Sequence, residues 1–231
     1  FLALIGLITN IAFYGKLSTK FVSPAGNHLG ILVVLVPVVG GLIVGLIARY
    51  GAKGIRGHGI PEAMEQVLRN KSRIQPRLTF LKPISSAIVI GTGCPFGAEG
   101  PIIATGGAVG SLLGQILPTT NDERKTLLAA GAAAGIAGTF GSPVGAVLLA
   151  IELLLFEFRA RSLIPVALAS VAATVVRISF VGTAPIFAMP DMPTPGVEAV
   201  CLYVLVGAAT GLGAVFVTKA VYWLEGLFNK L

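Results

Sequence analysis

Apolar residues run along this chain in blocks rather than at amphipathic spacing. Residues 29–50, 163–182 and 197–217 are each long and apolar enough to cross the hydrocarbon of a bilayer, which takes about 20 residues as a helix. Residues 1–14 are apolar as well and form part of a further span. Between these blocks the apolar stretches shorten to 84–90, 101–117, 126–140 and 144–158, each bounded by Gly or Pro. Helices too short to cross end at membrane depth. Their free backbone groups are tolerable only where they line a protein-enclosed or watery site, so broken helices of this kind point to a transport site.

Composition supports the same class. Of 231 residues, 55% are hydrophobic and 12% charged, with a mean hydropathy of +0.88. A soluble domain carries about 25% charge, which excludes an ordinary soluble enzyme, a disordered tail and a free nucleic-acid binder. Thirty glycines and 14 prolines exclude long unbroken coiled-coil helices and suit a polytopic, all-α membrane protein. The chain opens inside an apolar run without an initiating Met and closes just after another, so it is expected to be a fragment of a longer polypeptide.

The net charge is +7, but its distribution speaks for topology and not for nucleic acid. Eight of the 17 basic residues lie between Arg49 and Lys82, beside an apolar helix end, as the positive-inside rule expects of a cytoplasmic segment. Arg159 and Arg161 then also lie inside, and the proline-rich stretch 184–196, without Lys or Arg, lies outside. Thr120, Asn121, Asp122 and Glu123 form a helix start, with a capping hydroxyl and acids in the first turn. Leu2, Phe13 and Lys16 recur as Leu205, Phe216 and Lys219, a faint echo that fits a last helix opening a second repeat. Cys94 and Cys201 have no metal-ligand spacing and indicate no disulfide framework.

Glu99 is the only charged side chain between Pro83 and Asn121, within Gly97-Ala98-Glu99-Gly100-Pro101. An acid at membrane depth costs about 2.5–3.5 kcal/mol on insertion scales and is by default a functional residue. Pro101 suits a first helical turn, so Glu99 stands where free N–H groups and the helix dipole attract an anion. A buried carboxylate there competes with a diffusing anion for the same donors and lets go when protonated; a plain first-turn acid at an interface is the simpler alternative. Gly57-His58-Gly59-Ile60-Pro61-Glu62 has the same construction, opening a helix to about Asn70 that can also turn N–H groups to an anion. His58 between its two glycines lines a pathway or packs at an interface. Gly131-Ala132-Ala133-Ala134-Gly135-Ile136-Ala137 is a small-residue helix suited to tight packing, followed by another helix start at Ser142-Pro143. Glu152 is either a structural acid or a proton-relay group; Arg177 can snorkel to an interface. Gly91-Thr92-Gly93-Cys94-Pro95-Phe96-Gly97 has neither dinucleotide-binding nor P-loop spacing, and no nucleophile is paired with a base, so an enzyme is not expected.

These motifs, in this order, resemble those of the CLC family of voltage-gated chloride channels and proton-coupled chloride exchangers. Gly57 to Glu62 is similar to the family's G-S-G-I-P-E, Gly97 to Pro101 to its G-[RK]-E-G-P, and Gly131 to Pro143 to its G-A-A-A-G segment. The resemblance implies two inverted repeats per subunit in a homodimer, with one pore each. Residues 1–182 would form the first repeat, 183–196 an extracellular-side linker and 197–231 the first helix of the second. It makes Glu99 the gating glutamate and assigns the anion site to Gly57, His58, Gly59, Ile60, Gly97, Ala98, Gly100 and Pro101. Glu152 stands on a possible proton pathway, and 144–158 and 163–180 contribute to the dimer face. No cofactor is implied beyond chloride as transported ligand, and the expected setting is the plasma (inner) membrane. Three departures stand out: His58 replaces a Ser, Ala98 a basic residue, and Leu153 occupies the place where proton-coupled members carry a second acid. The expectation is channel-like chloride transport gated by Glu99. A proton-coupled antiporter with a non-standard inner proton route is the runner-up, and a non-conducting membrane structural or assembly subunit is the alternative from another class.

Overall fold

The computed structural model describes residues 1–57, 59–184 and 195–228. It divides into two units, Phe1–Ile186 and Phe187–Leu231. Among the described residues of the first unit the α-helices are α1 (Leu2–Tyr14), α2 (Leu35–Tyr50), α3 (Ile60–Arg69), α4 (Pro76–Gly91), α5 (Glu99–Ile116), α6 (Asn121–Phe140), α7 (Pro143–Ala150) and α8 (Ala160–Val181). The second unit is the single helix α9 (Val197–Phe228). The molecule is all-helical, as its apolar blocks predict.

The three long apolar blocks become helices able to span a membrane, over Gly30–Tyr50, Ala160–Val181 and Val197–Leu227. The first begins as a 3-10 turn at Gly30–Val34 and continues as α2. The short helices are bounded by the residues that the sequence singles out. Pro61 lies in the first turn of α3 and Pro143 opens α7, positions where the missing N–H costs no hydrogen bond. Gly141 ends α6 at φ 63°, a left-handed cap. Beyond α7 the chain widens into a π-helical turn, Ile151–Leu155, which carries Glu152 and stops at Phe156 with φ 54°.

The core of the first unit is the packing of α5 on α6, with α8 and the α7 segment on the far side. Ala129, Ala132, Ala133 and Ala137 of α6 are fully buried. The glycines let the two backbones meet: a methyl on Gly106 would collide with the Gly131 carbonyl, and one on Gly110 with the Leu127 carbonyl. Association of helices in lipid gains little from hydrophobicity and rests on such close van der Waals contact. The small-residue stretch 131–137 is therefore a packing surface.

Not every charge of the basic segment Arg49 to Lys82 faces outward. Residues 60–69 and 76–91 are helical, and Lys82, counted among the topological charges, is 4% exposed within α4. Its ammonium donates to carbonyls of the chain. Two further helices are longer than their apolar runs, 16 and 20 residues. The helix expected over 84–90 begins at Pro76, because Pro76 at a first turn extends it through a polar stretch, and the helix expected over 126–140 begins at Asn121. There Thr120 accepts from the Glu123 N–H while the Glu123 carboxylate accepts from the Thr120 N–H at 2.9 Å, a complete capping box.

Candidate functional site

The two glycine-proline helix starts meet at one cavity. It has a volume of about 470 Å³ and is lined by Gly57 and Ile60 from the entry to α3, and by Gly97, Glu99, Gly100 and Pro101 from the entry to α5. Ser85, Ser86, Val89 and Ile90 of α4 form its third wall, with Val44, Ile55, Arg56 and Phe96 completing it. The α3 and α5 starts touch: a methyl on Gly59 would come within 2.6 Å of the Gly100 carbonyl oxygen and 2.9 Å of the Ala104 methyl. Gly57 and Gly59 have φ of 91° and 102°, the region open to glycine and costly to other residues. That requirement explains why glycines flank position 58.

Glu99 is the first residue of α5, and its helix start has no side-chain cap. Amide donors of a first turn need partners, and none is supplied by a capping side chain here, so the α5 start is an anion-attracting end facing the cavity. The carboxylate of Glu99 is exposed and has no hydrogen-bond or ion-pair partner among the described residues. Within this chain the side chain is therefore not buried, contrary to the expectation of a buried acid.

The α3 start is built differently. Glu62 turns its carboxylate back to accept from the Gly59 N–H at 2.6 Å. Gly59 therefore gives its donor to Glu62 and lines not the first cavity but a second, of about 260 Å³, together with Glu62, Arg56 and Lys82. Of the residues assigned to the anion site, Gly57, Ile60, Gly97, Gly100 and Pro101 line the first cavity with Glu99, while Ala98 precedes Glu99 as the N-cap without lining it. His58 lies outside the described residues. Glu152 is exposed on its π turn and lines neither cavity.

Sequence reasoning missed Lys82. Its ammonium donates to the Ile55 carbonyl at 2.9 Å and to the Gly57 carbonyl at 3.0 Å, directly behind the turn that lines the first cavity. The signal was present: a lysine followed at once by the charge-free run from Pro83 to Ala98. It also missed Arg124, 6% exposed, which donates to the carbonyls of Gly114, Lys71 and Thr119 and so closes the C-terminal end of α5.

Comparison with known proteins places this arrangement. A family model described as voltage gated chloride channel matches residues 40–231. The chain is 31% identical over 209 residues to chloride channel protein CLC-f of Arabidopsis thaliana, covering 85% of this chain and 26% of that protein. It is 28% identical over 237 residues to the H(+)/Cl(-) exchange transporter ClcA of Vibrio campbellii, covering 99% of this chain and 50% of that one. The chain thus spans half or less of the length of these relatives. The crystal structure of a slow cyanobacterial Cl-/H+ antiporter shares the fold, with a TM-score of 0.77 at 22% identity, covering 100% of this chain and 58% of that one. With spanning helices, two broken-helix starts at one cavity and a matching family model over most of its length, the chain belongs to the voltage gated chloride channel family of integral membrane proteins.

Proposed function

We propose that this chain forms part of a transmembrane pathway for chloride or a similar small anion, gated by Glu99. The observation that carries the reading is the first cavity, at which the α3 and α5 starts converge with Glu99 on its wall. Helix N-termini hold anions through free N–H groups and the dipole, and in bilayers such sites are assembled from broken helices. An ionised Glu99 competes for the same donors; a protonated one does not. Residues 1–182 serve as the first repeat and 197–231 as the opening helix of a second, joined by an extracellular-side linker, in a homodimer of the plasma (inner) membrane.

The test is chloride flux from liposomes holding the full-length protein, measured across pH. Glu99→Gln and Glu99→Ala are expected to keep anion flux and to flatten its pH response. A variant with the wild-type pH profile contradicts gating by Glu99, and a protein that carries no anion favours the structural-subunit alternative.

A proton-coupled exchanger is the second reading, favoured by a relative that is an exchange transporter over nearly all of this chain. Glu152, on a π turn of the kind often found at functional sites, is then a candidate on the proton route, since its neighbour Leu153 cannot carry a proton. Proton uptake against its gradient, driven by chloride, decides for exchange; its absence with chloride flux intact decides for a channel.

A further inference from the structure

We propose that Lys82 and Glu62 are positioning residues for the anion cavity, clasping the turn that carries Ile55, Gly57 and Gly59 from the side away from it. The proposal rests on the anion-pathway reading and adds a device to it. Three observations carry it. Lys82 is 4% exposed, and its Nζ donates to two carbonyls of one short turn, those of Ile55 and Gly57. Glu62 grips the same turn from the helix side, accepting from the Gly59 N–H while its carboxylate packs against the α-carbon of Gly57, where a methyl group would collide with it. Lys82 and Glu62 line the second cavity and not the first, whereas Ile55 and Gly57 line the first. The turn is the partition between the two, and both charged groups hold it from behind.

The physical consequence follows from peptide planarity. A carbonyl tied to a cation fixes its whole peptide unit, and with it the direction of the N–H on the opposite side of that plane. Fixing two carbonyls of one turn fixes which way the partition faces. A turn with two glycines in left-handed conformations has little stiffness of its own, so external restraint decides its shape. A lysine suits the task because its three donors can serve two carbonyls at once, and a buried ammonium without such partners would be prohibitive. Glu62 lines the second cavity beside Lys82 and carries the opposite charge. The clasp is thus a pair of opposite charges whose hydrogen bonds go to the turn and not to each other.

The experiment reads backbone mobility and transport separately, on the full-length protein in lipid. In Lys82→Met, amide hydrogen exchange in a peptide covering residues 55–60 is expected to quicken at least tenfold, and half-saturating chloride to rise severalfold with the maximal rate less affected. Lys82→Arg, which keeps charge and donors, is expected to restore most of both. Glu62→Ala serves as the second variant, with the same direction of change, should Lys82→Met not fold. Unchanged exchange in the variant that folds overturns the clasp. Faster exchange with unaltered chloride dependence overturns its positioning role, as does a loss of transport in Lys82→Met that Lys82→Arg restores in neither measure. A wild-type protein without anion flux sinks the parent reading alone, because the exchange result still decides the clasp.

Discussion

At the residue scale the best-defined electrostatics lie at the start of α6. The Thr120 N–H and hydroxyl both donate to the Glu123 carboxylate, and Arg161 adds an opposite charge, so Glu123 titrates below the usual glutamate range. A depressed carboxyl stabilises the fold above its unfolded pKa, about 4.3, and that contribution fades as pH falls through the lower folded value. In Glu123→Gln the acid side of the stability-pH curve should therefore flatten, as thermal unfolding in detergent at pH 3 to 6 would reveal. Thr120→Ala should cost about 1 kcal/mol through loss of the cap, read in the same unfolding experiment; no change would show that the box is dispensable. Glu99 differs in kind, since its carboxylate has no partner to lose among the described residues. Its replacement should leave the unfolding midpoint nearly unmoved while altering the pH response of flux.

At the scale of elements the contact of α5 with α6 is the most demanding. Gly106 and Gly131 face each other so closely that a methyl on either meets the other's carbonyl. Gly106→Val or Gly131→Val must push the helices apart, at a cost of roughly 1–3 kcal/mol or more for overpacking. Because α5 begins at Glu99, the displacement should also reach the cavity, and the variants are expected to lose both stability and flux. A stable Gly106→Val protein would contradict the contact. Arg124 closes the other end of α5 through three carbonyls and the Asn121 side chain. Arg124→Met removes charge-assisted hydrogen bonds to these acceptors, each worth about 1.5–3 kcal/mol, so a drop of several degrees in the unfolding midpoint is expected.

At the scale of the whole molecule the basic residues around α3 and α4 make topology testable. Arg69, Lys71, Arg73 and Arg77 are exposed, and the positive-inside rule puts them on the cytoplasmic face. With Cys94 and Cys201 replaced by Ser, a cysteine introduced at Arg73 should react with a membrane-impermeant maleimide in inside-out vesicles and stay unlabelled in intact cells. Labelling from outside would invert the topology. The expected extracellular stretch 184–196 lies mostly outside the described residues.

Much of this architecture was legible because it depends on local chemistry. Span length follows from the count of apolar residues, helix starts from Pro and Thr, close packing from the run of Gly and Ala, and the candidacy of Glu99 from the rarity of an acid in an apolar window. Local pattern alone is therefore enough for the all-helical class, the interrupted apolar runs and the two motifs at their helix starts. It takes the folded chain to show that these starts share one cavity, that Glu62 takes the Gly59 donor, and that Lys82 turns inward behind the same turn. The reason is physical: which donor a carboxylate meets, and whether an ammonium finds water or a carbonyl, depends on residues distant in the chain being folded together, and no local pattern encodes that distance.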